Sequence, residues 1–262
     1  MGTSPTISRL RRIVASVDGG VARIELRHPP LNVIDIVMME ELGLALADIE
    51  SRSDVVAVVL SGEGKAFSAG VDVAAHVPNK IDEMLGRFHR IVRALVASKK
   101  VTIAVVHGHC LGGGAELALV CDMAYTTESA RWGFPEIKLG CYPPVACTAL
   151  AALVGQKRAA ELILTGRTIS GSEAAAMGLA TRAVTEAELS SVVEECVQRL
   201  LKHSPAALAV AKKAFYAWDS MHFDKGLARA EKIYFEELVK TSDANEGIAA
   251  FLEKREPKWT GK

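Results

Sequence analysis

The chain has 262 residues, half of them hydrophobic, which suffices for one large domain or for a core domain with a smaller appendage. Lysine plus arginine and aspartate plus glutamate both number 31, so the formal net charge is zero. This balance argues against a nucleic-acid-binding surface and against a highly charged, disordered chain.

Cysteine usage and hydropathy bear on the compartment. The five cysteines form no C-x-x-C pair and no Cys/His spacing typical of zinc, so we expect reduced thiols and no metal site. No apolar run reaches the roughly 18 residues that cross a bilayer. The N-terminus also lacks the apolar segment of a signal peptide, so we expect a cytoplasmic protein without a membrane partner.

Hydrophobic patterning predicts strands and helices in alternation. In chain order the predicted elements are a strand at 19–29, a helix at 36–51, a strand at 55–64, an amphipathic helix at 79–98, a strand at 101–108, a helix at 115–123, a short strand at 123–126, and a helix from 172 that ends at Gly178 before a further short strand. Several strands are apolar on both faces, which indicates an α/β domain whose sheets are covered by helices.

From about residue 205 the pattern changes, because no convincing strand follows. We therefore expect a core over 1–204 and a helical region over 205–262. No Gly/Ser/Pro-rich linker separates them, so the helical region should pack on the core or on a neighbouring subunit.

Three consecutive glycines, Gly112–Gly114, separate a predicted strand from a helix that carries Glu116 in its first turn. Backbone N–H groups at a helix N-terminus lack intrahelical partners and can bind a phosphate or an oxyanion. Neither the P-loop pattern nor G-x-G-x-x-G is met, and a carboxylate would repel phosphate. The pattern favours an oxyanion site, and close helix–strand packing is the structural alternative.

An oxyanion site usually needs a second donor, and a second bend of small residues is present. The segment Ser68–Gly70 follows another predicted strand and precedes Asp72. A further acid, Glu136, follows Pro135 in a loop-like stretch. Such an acid is either a solvated loop residue or a positioned catalytic group.

Five segments together resemble the crotonase (enoyl-CoA hydratase/isomerase) superfamily, in order and spacing, from about residue 14 to 259. They are GKAFSAGVDV, GHCLGGGAELALVCDMAY, FPEIKLG, GQKRAAELILTGRTISGSEAAAMGLATRAV and FLEKREPKW. The resemblance implies a spiral of ββα turns with a C-terminal helical region that trimerises. It therefore implies a homotrimer or a homohexamer.

The resemblance also implies the chemistry. The backbone N–H groups of Val71 and Gly113 would hold the thioester oxygen of an acyl-CoA. Glu116 would hold and activate water, while Glu136 would exchange a proton with the substrate carbon and help to orient the water. No cofactor is implied beyond the CoA thioester of the substrate.

For coenzyme A the resemblance implies contacts with the first bend. These are the backbone around Lys65, Ala66, Ser68, Ala69, Asp72 and Val73, with Lys254 reaching the nucleotide phosphates from a neighbouring subunit. The ordinary alternative for Lys65 and Lys254 is a solvated surface lysine.

The chain departs from ordinary fatty-acyl hydratases after Gly140, where it reads CYPPVACTAL. Pro144 replaces a glycine and Tyr142 adds bulk, so the acyl pocket should have a different shape. The predicted pocket residues are Cys141, Tyr142, Pro143, Pro144 and His109.

The segments CYPPVA and SAGVDVAAHVPNKIDEM resemble hydratases that act on the cyclic dienoyl-CoA of anaerobic benzoyl-CoA degradation. Hydration of that substrate is the expected function. The alternatives are a short- or medium-chain 2-enoyl-CoA hydratase and an enoyl-CoA isomerase. RNA binding, known for some relatives, is disfavoured by the zero net charge.

Overall fold

A computed structural model describes residues 6–77 and 79–260, and for 6–9, 217–222 and 224 it describes the backbone alone. The strands are β1 (Thr6–Arg9), β2 (Ile13–Asp18), β3 (Val21–Leu26), β4 (Ala57–Gly62), β5 (Ala66–Ser68), β6 (Val101–Val106), β7 (His109–Leu111), β8 (Met123–Thr127), β9 (Arg131–Gly133), β10 (Thr168–Ser170) and β11 (Arg182–Val184). The helices are α1 (Ile36–Ser51), α2 (Ile81–Ala97), α3 (Gly113–Leu119), α4 (Pro144–Val154), α5 (Gln156–Thr165), α6 (Gly171–Ala176), α7 (Glu186–Leu200), α8 (Pro205–Glu236) and α9 (Ser242–Leu252), with 3₁₀ helices at Val73–His76, Pro135–Leu139 and Leu238–Lys240.

The strands form two sheets. The larger has the order β1-β2-β3-β4-β6-β8-β11 and is parallel from β3 onward. The smaller has the order β10-β9-β7-β5, in which β5, β7 and β9 are parallel. Because β5 and β7 are parallel neighbours, the segments that follow them leave the sheet at the same edge, and these segments are the two glycine bends.

Helices cover the sheets and enclose the core. The largest buried side chains include Phe67 on β5, Phe88 on α2 and Trp132 on β9. They belong to one apolar cluster that also contains residues of α1, α3, α4 and α8. This packing fixes β5 and β7, and hence the two bends, against α2 and α3.

The expected α/β architecture is confirmed, with one shift that affects the site. The helix predicted at 115–123 begins at Gly113 and ends at Leu119, so Gly112 is its N-cap residue and Gly113 and Gly114 lie in its first turn. Among the three-residue strands, β11 matches the short strand predicted after Gly178, whereas β5, β7, β9 and β10 were not predicted, because so short a segment carries no readable hydrophobic period.

The C-terminal helices pack on elements that surround the site. Helix α8 lies along α4, and α9 contacts the 3₁₀ helices Val73–His76 and Pro135–Leu139. No strand is described in residues 205–260, but a division of the chain at residue 204 remains a prediction. Within the described ranges, no helix is both long and apolar enough to cross a bilayer.

Candidate active site

The two glycine bends lie in contact. Gly70 has φ +105°, and a Cβ there would lie 2.9 Å from the Leu111 carbonyl oxygen and 3.5 Å from the Gly113 nitrogen. Ser68 supports this bend, because its hydroxyl donates to the Asn32 carbonyl at 2.7 Å and accepts from the Gly70 N–H at 3.1 Å. Only glycine tolerates both this φ and this approach.

Two main-chain amides, those of Val71 and Gly113, remain available at this contact. Gly113 is the first residue of α3, so its N–H has no intrahelical acceptor. Around Val71, Ile34 pairs instead with the Gly70 carbonyl and the Asp72 N–H, at 2.9 and 3.1 Å. Among the described residues neither amide has an acceptor, and both residues line one cavity. Two main-chain donors on one cavity are the kind of pair that can hold an oxyanion.

Glu116 is buried in the first turn of α3, directly after the glycines. Its Oε1 accepts the N–H groups of Val145 and Ala146 at 2.9 and 3.1 Å, in the first turn of α4. Burial raises the pKa of Glu116 to about 7, and these two hydrogen bonds limit the rise because they favour the charged form. Near neutral pH this carboxylate can therefore accept a proton.

Glu136 lies on the 3₁₀ helix Pro135–Leu139 and faces the second bend. Its Oε1 is only 2.7 Å from where a Cβ on Gly112 would be, so the missing side chain makes room for the carboxyl group. Its Oε2 is buried and has no partner among the described residues. Burial, and then the charge of Glu116, raise the pKa of Glu136 well above its ordinary value. The two acids form one coupled pair.

One cavity of about 400 Å³ joins the amides and the acids. We call it the front cavity. Its walls come from both bends, α2, the 3₁₀ helix that carries Glu136, the segment Tyr142–Pro144 and the C-terminal helices. The described residues contain no group of three or more His, Cys, Asp or Glu side chains that could hold a metal.

The residues predicted to bind CoA divide into two groups. Ala69 and Val73 line the front cavity. Lys65 is exposed before β5. Asp72 caps the 3₁₀ helix Val73–His76, because its side chain accepts the Ala74 N–H at 3.0 Å. Ala66 and Ser68 have no exposed surface, and the Ser68 hydroxyl supports the bend. A contact of their backbone with CoA remains a prediction.

Lys254 is exposed and does not line the front cavity, whereas its neighbour Arg255 does. The guanidinium of Arg255 pairs with Glu246 at 2.6 Å and with Glu253 at 2.6 Å. A role for Lys254 toward a neighbouring subunit remains a prediction.

Of the predicted pocket residues, Tyr142, Pro143 and Pro144 line the front cavity, but Cys141 and His109 do not. His109 lies at the start of β7, whereas the bend follows the other end of that strand. Cys141 is buried, and its thiol contacts the Leu139 carbonyl oxygen at 3.6 Å.

Sequence reasoning did not assign several cavity residues: Met84, Leu85, Phe88, Tyr234, Phe251 and Arg255. The three on α2 belong to the inward face of a helix that the apolar spacing had predicted. The other three come from the C-terminal region, where no local pattern marks the residues that reach the site.

The family model for enoyl-CoA hydratase/isomerase matches residues 16–262. The chain belongs to this family. The cyclohexa-1,5-dienecarbonyl-CoA hydratase of Thauera aromatica is 34% identical over 244 residues, covering 92% of this chain and 93% of that protein. A probable enoyl-CoA hydratase of Bacillus subtilis is also 34% identical, over 258 residues, covering 96% and 100%.

Solved structures agree with this membership. The crystal structure of an enoyl-CoA hydratase from Mycobacterium avium subsp. paratuberculosis matches with a TM-score of 0.87 at 28% identity, covering 96% of this chain and 100% of that one. The resemblance to the crotonase superfamily and the expected crotonase-like fold are both confirmed.

Proposed function

We propose that the protein is an acyl-CoA hydratase, which adds water to a carbon–carbon double bond conjugated with a thioester. One observation carries the proposal: two coupled buried acids, Glu116 and Glu136, face the same cavity as the available amides of Val71 and Gly113. The CoA thioester of the substrate is the only cofactor-like group that the proposed reaction requires.

The amides would act on the thioester oxygen. As water adds to the β-carbon, negative charge moves onto this oxygen and the substrate becomes enolate-like. Two preformed N–H donors stabilise that charge, and loss of one such donor costs about 3–4 kcal/mol in other enzymes.

The acids would divide the proton transfers. Glu116 accepts two N–H bonds that favour its carboxylate form, so it takes the proton from the attacking water. Glu136 has no such donors on Oε2, and burial and the charge of Glu116 raise its pKa and so favour its protonated form, from which it would deliver a proton to the α-carbon. Glu116 gains one proton and Glu136 gives one up, so the number of protons on the two acids is unchanged.

For the acyl group we propose a cyclic dienoyl-CoA. The CYPPVA segment and the similarity to the Thauera aromatica hydratase support this choice. A short- or medium-chain 2-enoyl-CoA is the second candidate, since the Bacillus subtilis relative is equally identical.

A panel of purified linear and cyclic enoyl-CoA thioesters, assayed in ¹⁸O-labelled water, tests both the proposed reaction and the proposed acyl group. Hydration predicts that the label appears as a hydroxyl group in the product. Rapid turnover of crotonyl-CoA with an inert cyclic dienoyl-CoA would favour the second candidate. A product isomerised without label would instead identify an isomerase.

We further propose a homotrimer or homohexamer located in the cytoplasm. Exposed apolar side chains on α5 and α8, among them Leu164, Val210 and Phe215, support an assembly. All five cysteines are free, which suits a reducing compartment. Light scattering on the purified chain, whose monomer mass is 28.0 kDa, measures the assembly directly.

A further inference from the structure

A second and larger cavity lies behind the proposed acyl site. It has a volume of about 830 Å³ and is lined mainly by apolar side chains of α3, α4, α5 and α8, such as Leu119, Ala149, Ile163 and Ile233. We call it the rear cavity. Both the front and the rear cavity have sizes typical of small-molecule sites, about 300–1,000 Å³.

Tyr142 is the one described residue that lines both cavities. Its hydroxyl donates to the Ala230 carbonyl of α8 at 2.7 Å. Its ring packs edge-on against Tyr234, with the ring centroids 5.0 Å apart. Both contacts are with α8, and they hold the ring against this helix.

The rear cavity comes close to the reacting groups. Cys147 lines it, and the charges of Glu116 and Glu136 both raise the pKa of its thiol, after the larger effect of burial. The backbone N–H of Cys147 donates to the Pro143 carbonyl at 2.9 Å, which places it one helical turn beyond the front-cavity wall. The two cavities therefore approach each other at the start of α4, where the Tyr142 ring lines both.

We propose that Tyr142 is a partition that limits the acyl group to a compact size, and that a small side chain at this position admits a long linear acyl chain into the rear cavity. The inference rests on the proposed function in that a CoA ester must bind the front cavity. Apolar walls favour an alkyl chain over a polar extension, because burial of each methylene group contributes about 0.8 kcal/mol.

The test compares Tyr142→Ala with Tyr142→Phe. We expect kcat/KM for 2-decenoyl-CoA relative to crotonyl-CoA to rise by at least about tenfold in Tyr142→Ala, an effect within the range of added methylene groups in an apolar pocket. Tyr142→Phe keeps the ring and should keep the short-chain preference. Filling the rear cavity by adding Ala149→Phe to Tyr142→Ala should remove the gain.

Calorimetric binding of the saturated esters butanoyl-CoA and decanoyl-CoA gives a readout without turnover. The wild type should bind butanoyl-CoA more tightly, and Tyr142→Ala should reverse or strongly reduce that preference. A wild type that prefers decanoyl-CoA, or a folded Tyr142→Ala that gains nothing in either readout, would overturn the partition. Binding without hydration would overturn the proposed function alone, whereas binding of neither ester would overturn both.

Discussion

At the scale of single residues, the site depends on two carboxyl groups kept in an environment that disfavours their charge. Glu116 is anchored by two amides of α4, while Oε2 of Glu136 is buried and has no hydrogen-bond donor among the described residues. The same burial raises the pKa of both acids, but only Glu116 has hydrogen bonds that offset part of the rise. This asymmetry supports the proposed roles of Glu116 as the base and Glu136 as the acid.

The first prediction concerns the pH dependence of hydration. Activity needs Glu116 ionised and Glu136 protonated, so kcat/KM should rise through the pKa of Glu116, about 7, and fall at higher pH as Glu136 loses its proton. Glu116→Gln and Glu136→Gln should each lower kcat about 10²- to 10⁴-fold. Initial rates from pH 5 to 10 test this, with saturated acyl-CoA binding as the control for an intact site. A profile flat through pH 7 would contradict the assigned roles.

The second prediction concerns stability. The pKa of Glu116 is raised from 4.5 to about 7 on folding. The free energy of unfolding is therefore highest below pH 4.5, where this group is protonated in both states, and it decreases as the pH rises to 7. The complete pKa shift lowers the free energy of unfolding by about 3 kcal/mol. Glu116→Gln carries no charge, so it should unfold at higher urea concentration than the wild type at pH 8, with a smaller difference at pH 5.

The matched control for this prediction is Glu128→Gln, which changes an exposed carboxylate in the same way. Its pH dependence should follow the wild type. An unchanged pH dependence in Glu116→Gln would show that Glu116 ionises in the folded protein without a penalty.

At the scale of secondary-structure elements, the site is the meeting of two strand–bend–helix units. The strands β5 and β7 are parallel neighbours, and their bends touch through glycines. The bend at Gly112–Gly114 could be predicted from the sequence, because three consecutive glycines before a helix have few structural roles. The strands β5 and β7 could not be predicted, since three residues are too few to show a hydrophobic period.

The third prediction tests the contact between the bends. A Cβ at Gly113 would lie 2.6 Å from Cγ2 of Val71 and 3.1 Å from the Phe88 ring, so Gly113→Ala must push the Val71 bend away. Loss of one effective oxyanion donor should lower kcat about 10²- to 10³-fold. Gly43→Ala is the control, because a Cβ at this α1 position meets nothing within 4 Å. It should retain activity and gain up to about 1 kcal/mol from helix propensity.

Stopped-flow hydration assays and thermal unfolding of both variants make the comparison. Equal turnover in Gly113→Ala and Gly43→Ala would contradict the proposed oxyanion pair. A loss of turnover in Gly113→Ala with little loss of stability would locate the effect in the site.

At the scale of the whole molecule, the C-terminal helices complete the site from a distance in sequence. Helix α8 brings Tyr234 to the front cavity and its Ala230 carbonyl to Tyr142, and Arg255 follows α9. Sequence reasoning identified Tyr142 from its place after Gly140, but not its partners nearly a hundred residues later. Such partners depend on how helices pack, and a single helical pattern of α8 does not specify which residue faces the cavity.

A largely buried ion pair ties α8 to the core. The ammonium group of Lys212 on α8 is 2.7 Å from Oδ2 of Asp122, and it also donates to the Lys100 carbonyl at 2.8 Å. The same Asp122 oxygen accepts the N–H and hydroxyl of Thr102, at 2.7 and 3.0 Å. Asp122 is therefore shared between α8 and the start of β6.

The fourth prediction follows from this sharing. Asp122→Ala leaves the Lys212 charge buried without its partner, so the free energy of unfolding should fall by about 3–5 kcal/mol. Lys212→Met should cost less, because Asp122 keeps its two donors from Thr102. The double variant should recover part of the loss in Asp122→Ala, since it removes the unpaired charge. Urea unfolding of the four proteins measures the coupling. An exposed ion pair contributes about 1 kcal/mol or less to the free energy of unfolding. A loss of this size in Asp122→Ala would show that the position of α8 over the site does not depend on this contact.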